Sequence, residues 1–363
     1  MTNDDRRTKG WREDKVDSTK PTHLRVTHYA SRITDVERQG TRKEGAEERA
    51  GRGRRKRPLI VLLGPTAVGK TALSLDLAQE FDGEIVSADS RLLYKGLDIG
   101  TAKPSPEERA RVPHHVIDVT TPDRPLSLAE YLDLAHRAID EIHRRGRIPF
   151  LVGGTGQYVW ALVEGWKAPP VPPDETLRAR LEEEARRKGP HALYERLREL
   201  DPEAAARIDP RNVRRIIRAL EVIEHTGRPF SQQRSKEPPP YAVLLIGLTR
   251  PREELYRRID ERIERMIRAG LVDEVRRLLE AGYDPTLPAL TGIGYRQIAA
   301  YLRGEVSLEE AKQAMRKATR RYVRHQYNWF RLDDPRIRWF DLSRPGAYEE
   351  IRTFIRQWLE QDP

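Results

Sequence analysis

Short apolar runs alternate with helical patterns along most of this chain. Apolar residues fill Leu59 to Leu63 and recur in Glu84 to Ala88, and Ala72 to Glu80 between them has helical spacing. Further strand candidates are His115 to Val119, Phe150 to Val152 and Ala242 to Leu248. Apolar strands separated by helices are typical of a parallel sheet that helices cover on both faces. We therefore expect an α/β fold.

The stretch from Trp166 to Glu237 has a different pattern. It begins with a proline-rich segment, Pro169 to Pro173, continues as charged helices with no strand pattern, and ends at Pro238 to Pro240. Because proline interrupts regular structure at both ends, the sequence predicts a helical insertion domain hinged on the α/β core.

Two long basic amphipathic segments, Leu255 to Ala269 and Ser307 to Arg331, follow the last strand candidate. Their periodicity predicts helices. The expected organisation is a first part of the core at 58–165, the insertion at 166–237, a second part of the core at 238–345 and a C-terminal helix at 346–363.

Composition excludes several classes of protein. The chain has 363 residues, 37% hydrophobic content and no cysteine. It has no apolar stretch approaching the roughly 18 residues of a membrane span. Disulfides, thiolate zinc sites and cysteine nucleophiles are therefore excluded. The N-terminus lacks the apolar segment of a secretory signal and is too acidic for a transit peptide, so we expect a cytoplasmic protein.

The net charge of +10 is unevenly distributed. Residues 1–57 hold 17 Lys and Arg against 10 Asp and Glu, so the rest of the chain carries only +3. Their polar sequence without apolar periodicity predicts a disordered basic tail. Its end, Arg52 to Arg57, is either a non-specific RNA tether or a segment without function, namely a solvated leader or residues from an over-long gene start. We favour a segment without function.

The clearest motif is a phosphate-binding loop of the form G-x-x-x-x-G-K-[ST] between the first strand and the first helix. It consists of Gly64, Pro65, Thr66, Ala67, Val68, Gly69, Lys70 and Thr71. In such a loop glycines let backbone N–H groups approach a diphosphate or triphosphate, the lysine supplies positive charge, and the threonine hydroxyl reaches Mg²⁺. The core is thus expected to be P-loop NTPase-like. The motif indicates that a diphosphate or triphosphate group is bound and leaves open which reaction that group undergoes.

Further motifs follow the loop in a characteristic order. They are Asp89 to Pro104, Pro113 to Asp118, Gly153 to Tyr158, Arg214 to Val222, Gly292 to Gln297 and the region Arg320 to Arg331. Together with the loop they closely resemble the tRNA dimethylallyltransferases, also called tRNA isopentenyltransferases, over roughly residues 58–342. The absence of cysteine leaves no C-terminal zinc finger of the eukaryotic enzymes, so a compact bacterial type is implied.

The resemblance implies transfer of a dimethylallyl group from dimethylallyl diphosphate to N6 of the adenosine 3′ of the anticodon, position 37. The substrates would be tRNAs that read codons beginning with U, and the products N6-isopentenyladenosine and diphosphate. Mg²⁺ is the expected cofactor, the tRNA anticodon stem-loop the expected partner, and the protein is expected to be a monomer. Matching positions in these motifs also imply which residues form the site.

The resemblance implies catalytic roles for Asp89, Lys70, Thr71 and Arg258. Asp89 would accept a proton from the nearly non-basic adenine amine, and its place just past the second strand aims it into the crevice at the carboxyl ends of the sheet. The diphosphate would be bound by the loop from Gly64 to Thr71 and by Arg262, with Thr71 on the Mg²⁺.

RNA contacts are implied by the same resemblance. They fall on Asp89, Ser90, Arg91, Leu92, Thr155, Arg178, Arg214, Arg215, Ile216, Ile217, Arg218, Gly292, Ile293, Gly294, Tyr295, Arg296 and Gln297. Arg91 and Gln157 depart from the usual family pattern, as does Val68, which acts through its backbone.

A target base in an anticodon loop must leave its stack to react, so the enzyme needs cations that hold the RNA backbone. The sequence offers two such cationic surfaces. Arg211, Arg214, Arg215 and Arg218 share one helical face of the insertion. Arg316, Arg320 and Arg324 recur at four-residue steps beside Tyr322, Tyr327 and Trp329. Such aromatics either stack on bases or belong to the core, and for these we favour the core.

Several candidate residues have structural alternatives. Asp89 is alternatively a Mg²⁺ ligand or a helix N-cap, a role that Ser90 fits equally. Arg258 and Arg262 fit a solvated helical face, and Asp98 and Lys103 are similarly ambiguous.

Adjacent histidines, His114 and His115, stand where the third strand candidate begins. No carboxylate partner at metal-ligand spacing accompanies them. They therefore favour packing or polar structure over a metal site.

Three rival functions remain at this point. A P-loop kinase or ATPase would show phosphate release or transfer without prenylation. An adenylate isopentenyltransferase would act on free nucleotide and would need no insertion for an anticodon. A non-catalytic RNA-binding module would leave Lys70 and Asp89 without a role.

Overall fold

The computed structural model describes residues 56–361 except 168, 170 and 234. The basic tail expected at 1–57 therefore lies almost entirely outside the described residues. Within the described part, no helix is both long and apolar enough to cross a bilayer.

Eight strands are present in the described residues. They are β1 (Arg57–Leu63), β2 (Gly83–Ala88), β3 (His114–His115), β4 (Ile148–Gly153), β5 (Trp166–Lys167), β6 (Ser235–Lys236), β7 (Tyr241–Thr249) and β8 (Arg338–Asp341). Six of them form one sheet in the order β3-β2-β4-β1-β7-β8, and every neighbouring pair is parallel. Val61 of the central strand β1 lies between Leu151 of β4 and Leu245 of β7.

Thirteen α-helices accompany these strands in the same part of the chain. They are α1 (Lys70–Glu80), α2 (Pro106–Arg111), α3 (Leu128–Arg144), α4 (Gly156–Val163), α5 (Glu175–Lys188), α6 (Pro190–Leu200), α7 (Pro202–Arg207), α8 (Val213–Thr226), α9 (Arg252–Arg268), α10 (Leu271–Glu280), α11 (Tyr295–Leu302), α12 (Leu308–Trp329) and α13 (Ala347–Glu360). The helices predicted at 72–80, 255–269 and 307–331 are confirmed as α1, α9 and α12. A capping box between Ser307 and Glu310 sets the start of α12.

Helices cover both faces of the sheet, as the apolar strands require. Ile60 and Leu62 of β1 pack into the cluster that includes the buried faces of α1, α9 and α13. Leu59, Val61 and Leu63 point the other way, into the cluster that includes α3 and α4. Because successive side chains of a strand point to opposite faces, one uninterrupted apolar run supplies both cores.

The stretch between β5 and β6 contains α5 to α8 and a 3₁₀ turn at Ser231–Gln233. These helices bury an apolar cluster of their own, which includes Leu181, Leu193, Leu197 and Ile216. Leu181, Leu193 and Leu197 come from α5 and α6, and Ile216 comes from α8. This segment therefore carries its own small core.

The structure corrects the sequence reading at three strands. The strand expected at 115–119 is only His114–His115, because Val116 and Asp118 have φ values of 61° and 56°, in the left-handed region that a strand cannot use. The segment between the proline clusters is bounded by the short antiparallel pair β5–β6, although no strand pattern was recognised there. The edge strand β8 was not predicted.

Candidate active site

Four loops meet along the carboxyl edge of the sheet. The phosphate-binding loop follows β1, the Asp89 turn follows β2, the Gly154-Thr155 turn follows β4, and Arg250 follows β7. Since these strands are neighbours in the order β2-β4-β1-β7, the four loops are neighbours as well. This is the edge at which open parallel sheets bind ligands.

The backbone of the phosphate-binding loop adopts conformations that explain its glycines. Gly64 and Gly69 have φ values of 142° and 117°, and Ala67 is left-handed at 65°. A Cβ on Gly64 would lie 2.4 Å from the carbonyl oxygen of Leu248 in β7. The loop ends where α1 begins, at Lys70, so the positive end of the helix faces the loop.

Lys70 lies over this loop. Its Nζ donates to the carbonyl oxygens of Gly64, at 2.9 Å, and Pro65, at 2.8 Å. The pKa of Lys70 is lowered to about 8, mainly because the side chain is buried; Asp89 opposes this shift and Arg262 adds to it. Lys70, Arg262 and Asp89 therefore form one electrostatic group.

Asp89 follows the last residue of β2 and folds back on its own turn. Its Oδ1 accepts a hydrogen bond from the backbone N–H of Arg91 at 2.8 Å. The residues after it form turns and no helix, so the alternative that Asp89 or Ser90 caps a helix is wrong. The backbone N–H of Ser90 donates to Thr155 Oγ1 at 3.0 Å, which joins the β2 and β4 loops.

Three arginines, one just before α9 and two within it, contact the edge of the site. Arg258 Nε donates to the Ala67 carbonyl at 2.8 Å, and Arg262 Nη2 donates to the Thr101 carbonyl at 3.2 Å. Arg250 Nε donates to the Val68 carbonyl at 2.9 Å and pairs with Glu254. Burial lowers the pKa of Arg262, and Asp89 counteracts that effect. Neither Arg258 nor Arg262 is a merely solvated residue.

Arg250 was missed by the sequence reasoning. Its position at the carboxyl end of β7 is the same signal that singled out Asp89, so it was available in the sequence.

Gln326 of α12 was also missed and joins two of the loops. Its side chain is 3% exposed, Oε1 accepts from the Thr66 N–H at 2.8 Å, and Nε2 donates to the Gly154 carbonyl at 3.0 Å. A glutamine in a polar helix gives no sequence signal for such a role.

Two aromatic side chains of α12 lie beside these loops and contradict the expectation that they are core residues. Tyr322 and Trp329 are 36% and 43% exposed. Tyr322 hydrogen-bonds Thr155, and the Trp329 ring lies so close to Gly156 that a Cβ there would be 2.2 Å from it. Tyr327 is the exception, since it packs on the core and hydrogen-bonds Thr249.

The arginines of the insertion differ among themselves. Arg178 and Arg218 both pair with Glu221, a fully buried carboxylate, and Arg218 also donates to the Val171 carbonyl. Arg211, Arg214 and Arg215 are all exposed, and Arg211 pairs with Asp209. Arg214 and Arg215 lie in the first turn of α8.

Ile216 and Ile217 are 0% and 3% exposed. Their side chains belong to the small core of the insertion and are not available for the RNA contacts expected of them.

The cationic row on α12 is partly neutralised, contrary to a uniform phosphate track. Arg316 pairs with Glu264 and Glu309, and Arg320 pairs with Asp260. Arg324 remains exposed and hydrogen-bonds Tyr256.

The Gly292–Gln297 turn leads into α11. Tyr295 and Gln297 are buried, and Gln297 Oε1 accepts from the Gly294 N–H at 2.9 Å. Arg296 is exposed and Ile293 half-buried, so they are the members whose side chains can contact a partner. Arg91 Nη1 donates to the Pro288 carbonyl at 2.5 Å, just before this turn.

Asp98 and Lys103 belong to a charged network. Lys103 is 2% exposed, and its Nζ binds Asp98 at 2.6 Å, Asp118 at 2.5 Å and the Tyr94 carbonyl at 2.7 Å. The network lines an open cleft of about 660 Å³ that Arg262 also borders.

The histidines have structural partners. His115 Nε2 lies 2.6 Å from the buried carboxylate of Glu84, and His114 contacts the Val112 carbonyl. Among the described residues no group of three or more His, Cys, Asp or Glu is placed to hold a metal.

Comparison with known proteins gives consistent matches. The IPP transferase family model matches residues 92–333. The tRNA dimethylallyltransferase of Thermomicrobium roseum is 53% identical over 308 residues, 85% of this chain and 93% of that protein. The protein of the same name from a Roseiflexus species is 54% identical, over 84% of this chain and 99% of its own.

Solved structures agree. The tRNA isopentenylpyrophosphate transferase of Bacillus halodurans superposes with a TM-score of 0.63 at 42% identity, covering 85% of this chain and 98% of that one. A eukaryotic dimethylallyltransferase acting on tRNA superposes with a TM-score of 0.73 at 27% identity, covering 85% and 80%.

Proposed function

Because this chain belongs to the tRNA dimethylallyltransferase family, we propose that it transfers a dimethylallyl group from dimethylallyl diphosphate to N6 of a tRNA adenosine. The acceptor is the adenosine 3′ of the anticodon, position 37, in tRNAs that read codons beginning with U. The protein acts as a monomer in the cytoplasm.

The carbon–oxygen bond of an allylic diphosphate breaks with its electron pair on the leaving oxygen, so negative charge accumulates on the departing diphosphate. The loop from Gly64 to Thr71 presents backbone amides and the Lys70 ammonium to that charge. Arg258 and Arg262 add guanidinium groups on the side of α9. Their anchors on Ala67 and Thr101 fix these cations before the substrate arrives.

Mg²⁺ would share the diphosphate oxygens, and the residues present fit it. The Thr71 hydroxyl lies in the first turn of α1, is exposed, and has no side-chain hydrogen bond within the described residues. Mg²⁺ keeps several waters and binds substrate phosphates through one or two protein oxygens, so a carboxylate cluster is not needed. When bound, the ion neutralises leaving-group charge.

Asp89 receives the proton of the acceptor. The adenine N6 lone pair forms the new bond to the allylic carbon, diphosphate departs, and the extra N6 proton passes to the Asp89 carboxylate. Asp89 Oδ1 already accepts from the Arg91 N–H, which orients the carboxylate. The observation that carries the proposal is the electrostatic grouping of Asp89 with Lys70 and Arg262 at the phosphate-binding loop.

The RNA is held by side chains that the fold leaves accessible. Arg214 and Arg215 of α8 and Arg296 of α11 are exposed cations for the backbone of an anticodon stem-loop. Tyr322 and Trp329, exposed beside the β4 loop, provide flat surfaces for bases next to the catalytic crevice. Arg178 and Arg218 support this surface through Glu221.

The test is nucleoside mass spectrometry of an anticodon stem-loop with adenosine at position 37, incubated with the protein, dimethylallyl diphosphate and Mg²⁺. We expect N6-isopentenyladenosine at that position. A matched stem-loop with guanosine there should gain nothing. Phosphate release from ATP without prenylation, or prenylation of free AMP alone, would refute the proposal.

Asp89→Asn retains the size of the side chain and removes its basicity. We expect turnover to fall by about 10²–10⁴-fold while stem-loop binding is retained. Asp123→Asn changes an exposed aspartate that makes no hydrogen bond or ion pair with the four described loops of the site, so it serves as the matched control and should retain full turnover. Unchanged turnover in Asp89→Asn would show that this carboxylate is not the base.

A further inference from the structure

Glu274 of α10 is a buried carboxylate that touches no reacting group. It is 3% exposed, and its oxygens accept four hydrogen bonds. Oε2 accepts from the N–H groups of Asp98, at 3.0 Å, and Ile99, at 2.7 Å. Oε1 accepts from the Gly100 N–H at 3.1 Å and the Tyr295 hydroxyl at 2.7 Å. Within the described residues no cation pairs with it, so these four donors balance its buried charge.

The three N–H groups belong to a loop that needs such an anchor. Ala102 in this loop has a φ of 51°, a left-handed conformation that is unfavourable for a residue with a Cβ. The neighbouring carbonyl of Thr101 accepts from Arg262. The position of this loop therefore sets where the Arg262 guanidinium lies relative to Lys70 and Asp89.

The fourth donor, the Tyr295 hydroxyl, comes from the side of the site where we propose that RNA binds. Tyr295 belongs to the Gly292–Gln297 turn, next to the exposed Arg296. Its ring packs closely against the same loop, since a Cβ on Gly100 would be 2.5 Å from it. Burial and the nearby Glu274 carboxylate raise the pKa of Tyr295 far above its usual range, so the hydroxyl stays protonated and donates.

A second contact joins the segment just before this turn to the catalytic carboxylate. Arg91 donates through its side chain to the Pro288 carbonyl and through its backbone to Asp89 Oδ1. The segment that leads into α11 thus touches both the Arg262 loop and the Asp89 turn.

We propose that Glu274 is a positioning residue that fixes the diphosphate-side loop and the RNA-side turn to each other, with Tyr295 as its link to the RNA side. The inference rests on the proposed function. In this arrangement the Tyr295 hydroxyl supports diphosphate binding, although the residue lies in a motif expected to contact RNA.

The experiment measures the affinity of the full-length protein for dimethylallyl diphosphate with Mg²⁺ and without RNA. In Tyr295→Phe the ring packing stays and one hydrogen bond is lost, so the dissociation constant should rise about three- to tenfold. Glu274→Gln replaces one carboxylate oxygen by an NH2 group, which cannot accept from the backbone N–H groups it faces, and should raise the dissociation constant by about tenfold or more. With RNA, the KM for the diphosphate should rise in both variants more than kcat falls.

Tyr241→Phe is the matched control, because Tyr241 is also buried and its hydroxyl contacts His136. Tyr241 is the first residue of β7, at the opposite end of the strand from the catalytic loops. It should change diphosphate affinity by less than about twofold. Arg296→Ala should weaken RNA binding and leave diphosphate affinity unchanged. All titrations are made well below each variant's melting temperature.

Diphosphate affinity equal to wild type in Tyr295→Phe and Glu274→Gln would overturn the inference, even if both variants melt earlier. If the wild-type protein prenylates the stem-loop and this result is obtained, only the inference fails. If the wild-type protein binds no dimethylallyl diphosphate, the proposed function fails first.

Discussion

At the scale of single residues, the site depends on three charges that alter one another. Lys70 and Arg262 are both positive and partly buried, and each has its pKa lowered by burial. Asp89 opposes both shifts, and for Lys70, whose pKa is about 8, this keeps more of the ammonium charged before any phosphate arrives. Asp89 therefore influences both the leaving-group side and the amine side of the reaction.

This arrangement predicts a pH dependence for diphosphate binding. The pKa of Lys70 is about 8, so its ammonium is fully present at lower pH and is lost as the pH rises through that value. The diphosphate prefers the charged form, so its affinity should be constant below pH 8 and fall by up to about tenfold per pH unit above it. Isothermal titration calorimetry between roughly pH 6.5 and 9.5 measures this profile.

Two variants separate this cause from others. Asp89→Asn removes the interaction that raises the Lys70 pKa, so the midpoint should move to lower pH. Lys70→Arg keeps its charge throughout, because guanidinium does not deprotonate in this range, and should show weaker but pH-independent binding. The same fall in wild type and Lys70→Arg would mean that another group titrates.

At the scale of elements, α12 connects the loops of the site. Tyr322, Gln326 and Trp329 recur at helical spacing, and each contacts a loop at the carboxyl edge. The opposite side of the helix carries the arginines that pair with acids of α9. One face of α12 therefore contacts the catalytic loops, and the opposite face forms ion pairs with α9.

The sequence predicted this helix almost to the residue but misread its inner face. Apolar periodicity is a local signal and sufficed to predict this helix, whose start the Ser307 capping box sets in the structure. Gln326 meets Thr66 across 260 residues, and Tyr322 and Trp329 look like core residues to any periodicity argument. Similarly, Asp89 was predictable from the end of a strand, whereas Glu274 depends on a backbone loop that forms only in the folded chain.

Gln326 offers a test of this element. Gln326→Ala leaves the Thr66 N–H and the Gly154 carbonyl without their partner, and each unsatisfied buried group costs about 1–3 kcal/mol. We expect a lower free energy of unfolding in urea and weaker diphosphate binding, because the phosphate-binding loop loses its contact to β4. Asn328→Ala on the exposed face of α12 should stay within about 0.5 kcal/mol of wild type. Equal effects of the two substitutions would show that the bridge does not support the loop.

At the scale of the whole described chain, two functions are assigned to separate cores. The parallel sheet with its two apolar clusters carries the four catalytic loops, and α5 to α8 bury a third cluster. The two parts are joined at β5 and β6, where Glu164 accepts hydrogen bonds from Trp166, Lys236 and Arg336. Burial by itself raises the pKa of Glu164, but the hydrogen bonds from Lys236, Arg336 and Trp166 outweigh it and lower the pKa to about 2, so Glu164 stays ionised at ordinary pH.

This separation predicts the outcome of removing the insertion at its base. Lys167 and Ser235 are the innermost pair of β5 and β6, so residues 168–234 can be replaced by Asn-Gly, a two-residue hairpin turn. Glu164, Trp166, Lys236 and Arg336 all remain, and only the third apolar cluster is lost. The shortened protein should still fold and bind dimethylallyl diphosphate, while prenylation of the anticodon stem-loop is abolished.

Calorimetry with dimethylallyl diphosphate and mass spectrometry of the stem-loop measure the two functions in the same preparation. Retained diphosphate binding with lost prenylation is the expected pair of results, since the cations at Arg214 and Arg215 are gone while Lys70 and Asp89 are untouched. Prenylation of the stem-loop at the wild-type rate would show that the insertion does not hold RNA. Continued prenylation of free AMP would instead indicate an enzyme built for mononucleotides, because a mononucleotide has no stem that the insertion is required to hold.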